Sequence, residues 1–338
     1  MRIFPTCCSP KNKPRAAALI LASLLIAAAL VSLCCGASGA SLWAGLGDLL
    51  SGRDSAAVRI LLHIRLPRTA AALLAGAALA ASGVLIQGVL GNPLAGPNII
   101  GVNAGAGFCT LLCACLMPAA AHLLPAAAFA GALLASLVIL LLADRMGVSR
   151  ITVVLAGVAI SSIFSAGSDL ITTFSPDATL GMSAFMIGGF ADVSASRLRI
   201  AAVYMLPALA VSLLLAGDLD VLSLGDEVAA SLGLRVKRTR VLLLAVASVL
   251  AGAAVSFAGL LGFVGLIVPH AVRRIVGGTH KPLLALSILG GALFTLLCDT
   301  AARTLFAPYE VPVGILLSLV GGPFFLFLLL KSRKGART

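Results

Sequence analysis

Residues 65–107 read RLPRTAAALLAGAALAASGVLIQGVLGNPLAGPNIIGVNAGAG. The stretch opens with an Arg-x-Pro-Arg cluster, continues as a charge-free run rich in small residues, and breaks at Asn92-Pro93 and Gly96-Pro97 before apolar sequence resumes. Because a residue that precedes proline disfavours helical backbone, the two breaks end the first helix. The stretch therefore predicts a helix that crosses a membrane, a tight polar elbow, and a second helix that returns.

The rest of the chain has the same character. Of its 338 residues, 60% are hydrophobic and 11% are charged, and the mean hydropathy is +1.13. Repeated apolar runs of about 20 residues are solvated only by lipid or by one another, so we predict an all-α polytopic membrane protein. Ten candidate spans lie at residues 16–35, 66–88, 99–117, 123–143, 151–171, 200–216, 241–258, 260–276, 282–299 and 311–330.

Ten spans place both termini on the same side of the membrane, and the basic residues indicate which side. With the N terminus in the cytoplasm, 17 of the 24 Lys and Arg residues lie in cytoplasmic segments. Lys and Arg accumulate in cytoplasmic loops, so the distribution predicts both termini inside. The same rule explains the net charge of +12, and the single Trp and two Tyr give no basic-aromatic pattern for nucleic-acid binding.

The spans form one transmembrane domain over residues 16–331, between cytoplasmic tails at residues 1–15 and 332–338. Residues 37–40 resemble a signal-peptidase site, but the 20-residue apolar run before them exceeds the usual hydrophobic core of a signal peptide. We therefore expect an uncleaved first helix. The short apolar piece at residues 182–190 is expected to form a re-entrant or interfacial helix, and Pro269 with His270 is expected to interrupt the eighth span.

Several signatures of chemistry are missing from the sequence. It contains no phosphate-binding G-x-x-x-x-G-K-[ST] loop, no H-E-x-x-H zinc motif and no G-x-S-x-G nucleophile motif. Inside the predicted spans, only Asp169 and Asp299 are acidic, and both lie near predicted outer ends. An ion-coupled carrier normally needs ionisable groups near the bilayer midplane. This scarcity argues against a secondary transporter and places the energy source outside the chain.

The eight cysteines do not form a disulfide framework. Cys109 and Cys113 share a helix face, so a metal or redox site is conceivable there. No His, Asp or Glu joins them, and small cysteines are common packing residues. We therefore expect no metal site in this chain.

A series of short motifs runs in order between about residue 40 and residue 331. The motifs are Arg65-Leu-Pro-Arg68, Gln87, Gly91-Asn-Pro-Leu-Ala95, Pro97, Gly101-Val-Asn-Ala-Gly105, Leu155-Ala-Gly-Val-Ala159, Met186-Ile-Gly-Gly-Phe190, Leu224-Gly-Asp-Glu-Val-Ala-Ala-Ser-Leu-Gly233, Gly262-Phe-Val-Gly-Leu-Ile-Val-Pro-His270 and Val311-Pro-Val-Gly-Ile315. The series resembles the permease subunits of FecCD-type (type II) ABC importers for iron-siderophores, heme and vitamin B12.

The resemblance implies a ten-helix subunit in the cytoplasmic membrane of a bacterium or archaeon. It also implies a dimer around a central pathway, with an identical chain or a close paralogue as the second subunit. Two ATP-binding cassette ATPase subunits would lie on the cytoplasmic side, and a substrate-binding protein would lie outside. This chain would then be no enzyme and would bind no cofactor, because ATP and Mg belong to the partner subunits.

Arg65, Arg68 and Arg303 match the positions at which that family docks carboxylates of its binding protein. Arg65 and Arg68 lie three residues apart at the predicted outer end of span 2, and Arg303 follows span 9 on the same side. Pairing with carboxylates on a partner would orient it and speed its encounter. The alternative is that these arginines extend to lipid headgroups or close a helix end.

Residues 223–240 are predicted to form a cytoplasmic coupling segment. Asp226 and Glu227 suit the first turn of a short helix, Gly233 suits its end, and Val228 and Leu232 form an apolar ridge. Such a ridge fits a groove on a partner, and the resemblance makes that partner the ATPase. The expected contact residues are Leu224, Gly225, Asp226, Glu227, Val228, Ala230, Leu232 and Gly233. The alternative is a solvated loop, and the positive-inside rule alone explains the basic residues Arg235, Lys237, Arg238 and Arg240.

Two further segments face the cytoplasm in this topology. The elbow residues Asn92, Pro93 and Pro97 are expected to serve geometry near the ATPase side. Ser149, Arg150 and Thr152 are candidates for part of an inner gate.

Together these features predict a permease that moves a bulky metal complex inward by alternating access, along a dimer axis lined by small and apolar residues. An iron(III)-siderophore is the first choice of cargo because it is the broadest class in the family, with heme and cobalamin as alternatives. No residue in the sequence separates these cargoes. The rival from another class is an ATP-independent channel or secondary carrier.

Overall fold

The computed structural model describes residues 13–35, 42–146, 150–307 and 309–335, and this part of the chain is helical without a strand. Fifteen α-helices lie within these residues. They are α1 (Lys13–Cys34), α2 (Leu42–Leu50), α3 (Ala56–Ile60), α4 (Leu66–Leu90), α5 (Val102–Leu116), α6 (Leu124–Met146), α7 (Arg150–Phe174), α8 (Pro176–Ile187), α9 (Ala195–Leu214), α10 (Ala216–Ser223), α11 (Asp226–Ser231), α12 (Val236–Ala258), α13 (Val264–Val276), α14 (His280–Thr304) and α15 (Val313–Gly335).

Every predicted span corresponds to a helix, namely α1, α4, α5, α6, α7, α9, α12, α13, α14 and α15. Among the described residues, seven helical stretches are long and apolar enough to cross a membrane. The prediction of an all-α polytopic membrane protein is therefore confirmed. Helix α13 has 13 residues, or about 20 Å at the helical rise, which is too short to cross a bilayer alone. The number of crossings stays a prediction.

Helix α4 lies at the centre of the bundle. Its glycines allow backbone-to-backbone contact with two neighbours, because a Cβ at Gly76 would collide with the carbonyl of Gly291 on α14, and one at Gly83 would collide with Gly265 on α13. On a third side, the Ser82 hydroxyl donates to the Ala247 carbonyl of α12 over 2.8 Å. Small residues thus provide the close packing that lipid cannot drive by itself. In contrast, α1 and α7 are peripheral and mostly exposed.

Helix α13 begins partway through the bundle. After α12 ends at Ala258, the chain turns back and reaches Phe263, whose φ of 66° is left-handed and unusual for a bulky residue. Phe263 packs against Gly321 of α15, which leaves room for its ring. The next turn places Gly265 against the Leu79 carbonyl of α4.

The expectation that Pro269 and His270 interrupt this helix is wrong, because α13 continues from Val264 to Val276 with Pro269 inside it. Proline lacks the N–H that would bond the carbonyl four residues earlier. Here that carbonyl belongs to Gly265, and the Gln87 side-chain amide of α4 donates to it over 3.1 Å. An acceptor that the proline leaves free is therefore satisfied by a neighbouring helix.

Several elements differ from the sequence-based boundaries. The predicted piece at residues 182–190 lies mostly within α8, which starts earlier, at Pro176. Helices α2 and α3, with a π-helical turn at Leu61–Arg65 that leads into α4, occupy a region predicted only as an outer loop. Helix α10 was also not predicted. Residues 1–12 of the N-terminal tail and residues 336–338 of the C-terminal tail lie outside the described residues.

Candidate functional site

The three arginines of the predicted outer side lie close together where α1 and α14 end and α4 begins. All three are buried: Arg65 is 4% exposed, Arg68 7% and Arg303 2%. Arg68 donates from Nε and Nη2 to Oδ1 of Asp299 at 3.1 and 3.0 Å, and from Nη1 to Oε2 of Glu310 at 2.6 Å. The α4 arginine is therefore neutralised within the chain by two carboxylates.

Arg65 and Arg303 close the C-terminal end of α1. Arg65 Nη1 donates to the carbonyls of Leu33 and Cys34 at 2.8 and 3.1 Å, while Arg303 Nη2 donates to the Ser32 carbonyl at 2.7 Å. The last carbonyls of a helix lack partners within it and carry the negative end of its dipole. Two guanidinium groups from α14 and the turn before α4 satisfy them.

These contacts involve the arginines that were expected to dock a binding protein, and that docking role stays a prediction. They were expected to face outward and be available to a partner, but burial and internal hydrogen bonds occupy them. For Arg65 and Arg303, the structure shows the alternative of closing a helix end. Arg68 alone of the three lines a cavity of about 210 Å³, which also touches Glu310, Asp192 and Arg197.

The predicted coupling helix is present as α11. Gly225 and Gly233 flank it at φ values of 100° and 87°, which glycine adopts without strain. Leu224, Val228 and Leu232 are 58%, 47% and 63% exposed, so the apolar ridge is open on the predicted cytoplasmic side. Asp226 and Glu227 occupy its first turn, and Ala230 is also exposed.

Arg240 does more than follow the positive-inside rule. It is 4% exposed and lies on α12, and its Nη2 is 2.6 Å from Oδ1 of Asp226. The expectation that Arg240 is a solvated charge is therefore wrong. The pair holds the beginning of α11 against α12, whereas Arg235, Lys237 and Arg238 are exposed as expected.

The elbow is held by local hydrogen bonds. Gly91, with φ at 58°, ends α4, and the Asn92 side-chain oxygen accepts from the Leu94 N–H over 2.9 Å. Pro97 opens a 3-10 turn at Pro97–Ile100 that packs on Gly157 of α7. These contacts agree with a structural role for Asn92, Pro93 and Pro97.

Of the gate candidates, Ser149 and the side chain of Arg150 lie outside the described residues. Thr152 is half-buried near the start of α7. Among the described residues, no group of three or more His, Cys, Asp and Glu side chains could hold a metal ion.

Helix α7 carries a feature that sequence reasoning missed. Its exposed half divides into a polar edge and an apolar edge, because successive residues turn by about 100°. The polar edge of α7 consists of Ser162, Ser165, Asp169 and Thr173. The apolar edge of α7 consists of Ile163, Leu170 and Phe174. The Ser162 and Thr173 hydroxyls donate to carbonyls of the same helix, so the exposed Asp169 carboxylate is the group that lipid would penalise most. It favours a water-filled space beside this edge. The three- and four-residue spacing of these polar residues was the available signal.

Comparisons with known proteins agree over nearly the whole chain. A family model described as the FecCD transport family matches residues 24–331. The Fe(3+)-citrate import system permease protein YfmE of Bacillus subtilis is 35% identical over 320 residues, covering 94% of this chain and 96% of that protein. The hemin transport system permease protein HmuU of Yersinia pestis is 40% identical over 284 residues, covering 81% and 84%.

A solved structure has the same fold. It is described as an inward-facing conformation of a metal-chelate type ABC transporter, and it superposes with a TM-score of 0.82 at 32% identity. The match covers 93% of this chain and 98% of the other. The sequence therefore aligns with permeases, and the fold with a metal-chelate type ABC transporter, over most of the chain.

Proposed function

The chain belongs to the FecCD transport family and is a multi-pass permease subunit of an ABC importer, and from this premise we propose that it carries an iron(III)-siderophore complex inward across the cytoplasmic membrane. Relatives named for ferric citrate and for hemin support a cargo in which a metal is held by an organic ligand. Heme and cobalamin are the alternative cargoes.

The exposed ridge of α11 is the observation that carries the ATP-driven part of this proposal. Leu224, Val228 and Leu232 expose apolar surface, and on the predicted cytoplasmic side lipid would not cover it. Such a ridge fits the groove of a partner, and an ATPase subunit is the partner that an ABC permease requires. Two ATPase subunits would bind ATP and Mg, and this chain would bind no cofactor.

On the outer side, we propose that a substrate-binding protein docks over the cavity beside Arg68. The cavity contains two arginines, Arg68 and Arg197, and two carboxylates, Asp192 and Glu310. A mixed-charge cavity of this kind favours one orientation of a partner more than it adds affinity. Arg65 and Arg303 would hold the end of α1 in place and take no part in this docking surface.

The translocation pathway would lie beside the polar edge of α7, between this chain and a second permease subunit. The hydroxyl groups of Ser162 and Ser165 would contact water, and the adjacent apolar edge would pack against the second subunit or lipid. The pathway would therefore be more polar than the small and apolar lining that the sequence predicts.

Reconstitution in proteoliposomes tests this function. The permease, its ATPase subunits and its loaded binding protein are combined, and uptake of a radiolabelled ferric siderophore is measured with and without ATP. We expect uptake only with ATP and both partners. Uptake without the ATPase subunits would favour the secondary carrier, and accumulation of heme or cobalamin in place of the siderophore would change the assigned cargo.

A further inference from the structure

A second carboxylate fastens the coupling region to the bundle. Asp220, on α10, accepts the backbone N–H of His280 over 2.8 Å, and its Oδ1 lies 2.7 Å from Nδ1 of the same histidine. His280 is the first residue of α14 and is 3% exposed. Asp220 therefore caps the N terminus of α14 from another helix, where an acidic group also suits the helix dipole.

His280 lies where three helices meet on the predicted cytoplasmic side. A Cβ at Gly88, near the inner end of α4, would be 3.3 Å from His280 Nε2 and 2.6 Å from a methyl group of Leu219 on α10. The absence of a side chain at Gly88 thus allows α10, α14 and α4 to touch. A displacement of α10 would act directly on both long helices.

Helix α10 is joined to the coupling helix by only Leu224 and Gly225. The two short helices are held at two points by carboxylates: Asp220 holds α10 to α14, and Asp226 holds α11 to Arg240 of α12. A force applied to the ridge of α11 therefore reaches α14 through the Asp220–His280 contact.

Helix α14 extends from this contact to the outer arginines. It begins at His280, touches α4 through Gly291 and Gly76 at mid-length, and carries Asp299 and Arg303 near its other end. The backbone contact packs α14 directly against α4, and because packed interfaces have discrete arrangements we expect the two helices to move together. One helix thus connects the coupling region with the outer cavity.

We propose that Asp220 and His280 form a joint that transmits motion between the ATPase-bound coupling helix and α14, and so links ATP hydrolysis to binding-protein docking on the opposite side. Both are positioning residues, and the inference rests on the proposed function. The competing explanation is that Asp220 only caps α14 and contributes stability. A cap of that kind would affect unfolding without affecting communication between the two sides.

The test uses the complete importer in lipid nanodiscs, with ATPase activity measured without and with loaded binding protein. The variants are Asp220→Asn, His280→Gln and the double substitution. Asp218→Asn is the matched control. Asp218 lies on the same helix, and within the described part of the chain its side chain makes no hydrogen bond or ion pair. We expect the Asp220→Asn importer to retain its ATPase subunits. The factor by which binding protein stimulates its ATPase activity should fall about tenfold, a change of ordinary size for two coupled sites.

Because the two residues would act as one contact, the double substitution is expected to lose no more stimulation than either single one. Wild-type stimulation in Asp220→Asn, or a lower unfolding temperature with unchanged stimulation, would overturn the joint. If the wild-type importer shows no ATP-dependent uptake, that result instead contradicts the proposed function, and the proposed joint fails with it.

If the substitution variants are too unstable to purify, cross-linking positions 220 and 280 tests the same contact. In a background with native cysteines replaced by serine, Asp220→Cys and His280→Cys are introduced together and bridged by a short bis-maleimide, which adds one thiol across each of its two C=C bonds. The bridged complex is expected to recover stimulation that the unbridged complex lacks. Equal stimulation in the two forms would overturn the joint.

Discussion

Arg68 and Asp299 form a buried ion pair between residues far apart in the chain. Two guanidinium nitrogens of Arg68 lie 3.1 and 3.0 Å from the same carboxylate oxygen, and the Asp299 side chain is 1% exposed. The pair joins the outer end of α4 to the outer end of α14. In a low-dielectric region, each charge depends on the other, because an unpaired buried charge is costly.

Replacing Asp299 by Asn should strongly destabilise the protein. Arg68 would keep Glu310 but lose its fully buried partner, so we expect a loss of about 3 kcal/mol in the free energy of unfolding. The measurement is thermal unfolding in detergent. Asp54→Asn is the control, since the Asp54–Arg59 pair is fully exposed, although the hydrogen bond from Arg59 lowers the pKa of that carboxyl. Equal shifts in the two variants would contradict this account.

Substitutions of Arg68 and Arg65 should have different effects, because Arg68 lines the proposed docking cavity and Arg65 closes the end of α1. Arg68→Gln combined with Asp299→Asn removes both charges of this ion pair, and we expect it to weaken docking of the binding protein about tenfold through slower association and faster release. Arg65→Gln should lower thermal stability and leave docking unchanged, because Arg65 contacts α1 and not the cavity. Surface plasmon resonance on nanodisc complexes measures both. A larger docking defect for Arg65→Gln would reverse the assignment.

Charge on the ridge of α11 should uncouple the importer. Leu232→Glu places a carboxylate on an apolar contact surface, so we expect uptake to fall to background while ATP hydrolysis loses its dependence on binding protein. Gly278→Glu adds the same charge to a nearby exposed loop where no atom lies within 4 Å of the new Cβ. It should behave as wild type. Normal uptake in Leu232→Glu would exclude the ridge as the ATPase contact.

The two edges of α7 should differ in access to water. In a background without native cysteines, Ser162→Cys should react with a membrane-impermeant maleimide. Ile163→Cys, one residue away on the apolar edge, should stay unreacted because thiol labelling requires water. Mass spectrometry measures the labelled fraction. Equal labelling at both positions would show that no water-filled space follows the polar edge.

The crossing of α4 and α14 should tolerate no side chain. Gly76→Val would force the helices apart, since even a Cβ at Gly76 collides with the Gly291 carbonyl. We expect loss of the monodisperse peak in fluorescence-detected size-exclusion chromatography. Gly217→Ala, in α10 and without neighbouring atoms, should retain that peak and gain about 0.5–1 kcal/mol from helix propensity. An intact Gly76→Val protein would contradict the role of this contact.

The helices were predictable because lipid imposes a strong rule on sequence. A span must be apolar over nearly its whole length, so residues 66–88 and the other predicted spans stand out by composition alone. Helix α11 was equally visible, since Asp226 and Gly233 mark its ends. Short-range signals of this kind need no knowledge of the partner helix.

What the sequence did not show depends on contacts between distant segments. Arg65 and Arg303 are specified by the position of the α1 carbonyls, and no local pattern records that position. Arg240 looks like any cytoplasmic arginine until Asp226 is placed beside it. The continuity of α13 past Pro269 likewise requires the amide of Gln87, 178 residues from the carbonyl it bonds.

The closure of α1 has a further consequence. Apart from the Ser32 hydroxyl, the groups of this helix that Arg65 and Arg303 bind are main-chain carbonyls. A main-chain carbonyl is present in every residue, whatever its side chain. The attachment therefore depends on where the helix stops and on one side chain, Ser32, whose hydroxyl also lies 2.8 Å from the Thr69 hydroxyl of α4. A foreign apolar helix of equal length that keeps a serine at position 32 should substitute for α1, whereas inserting one residue before Ser32 should rotate the carbonyls away from both guanidinium groups. Apart from Ser32, the length of α1 is therefore constrained more strongly than the identity of its residues.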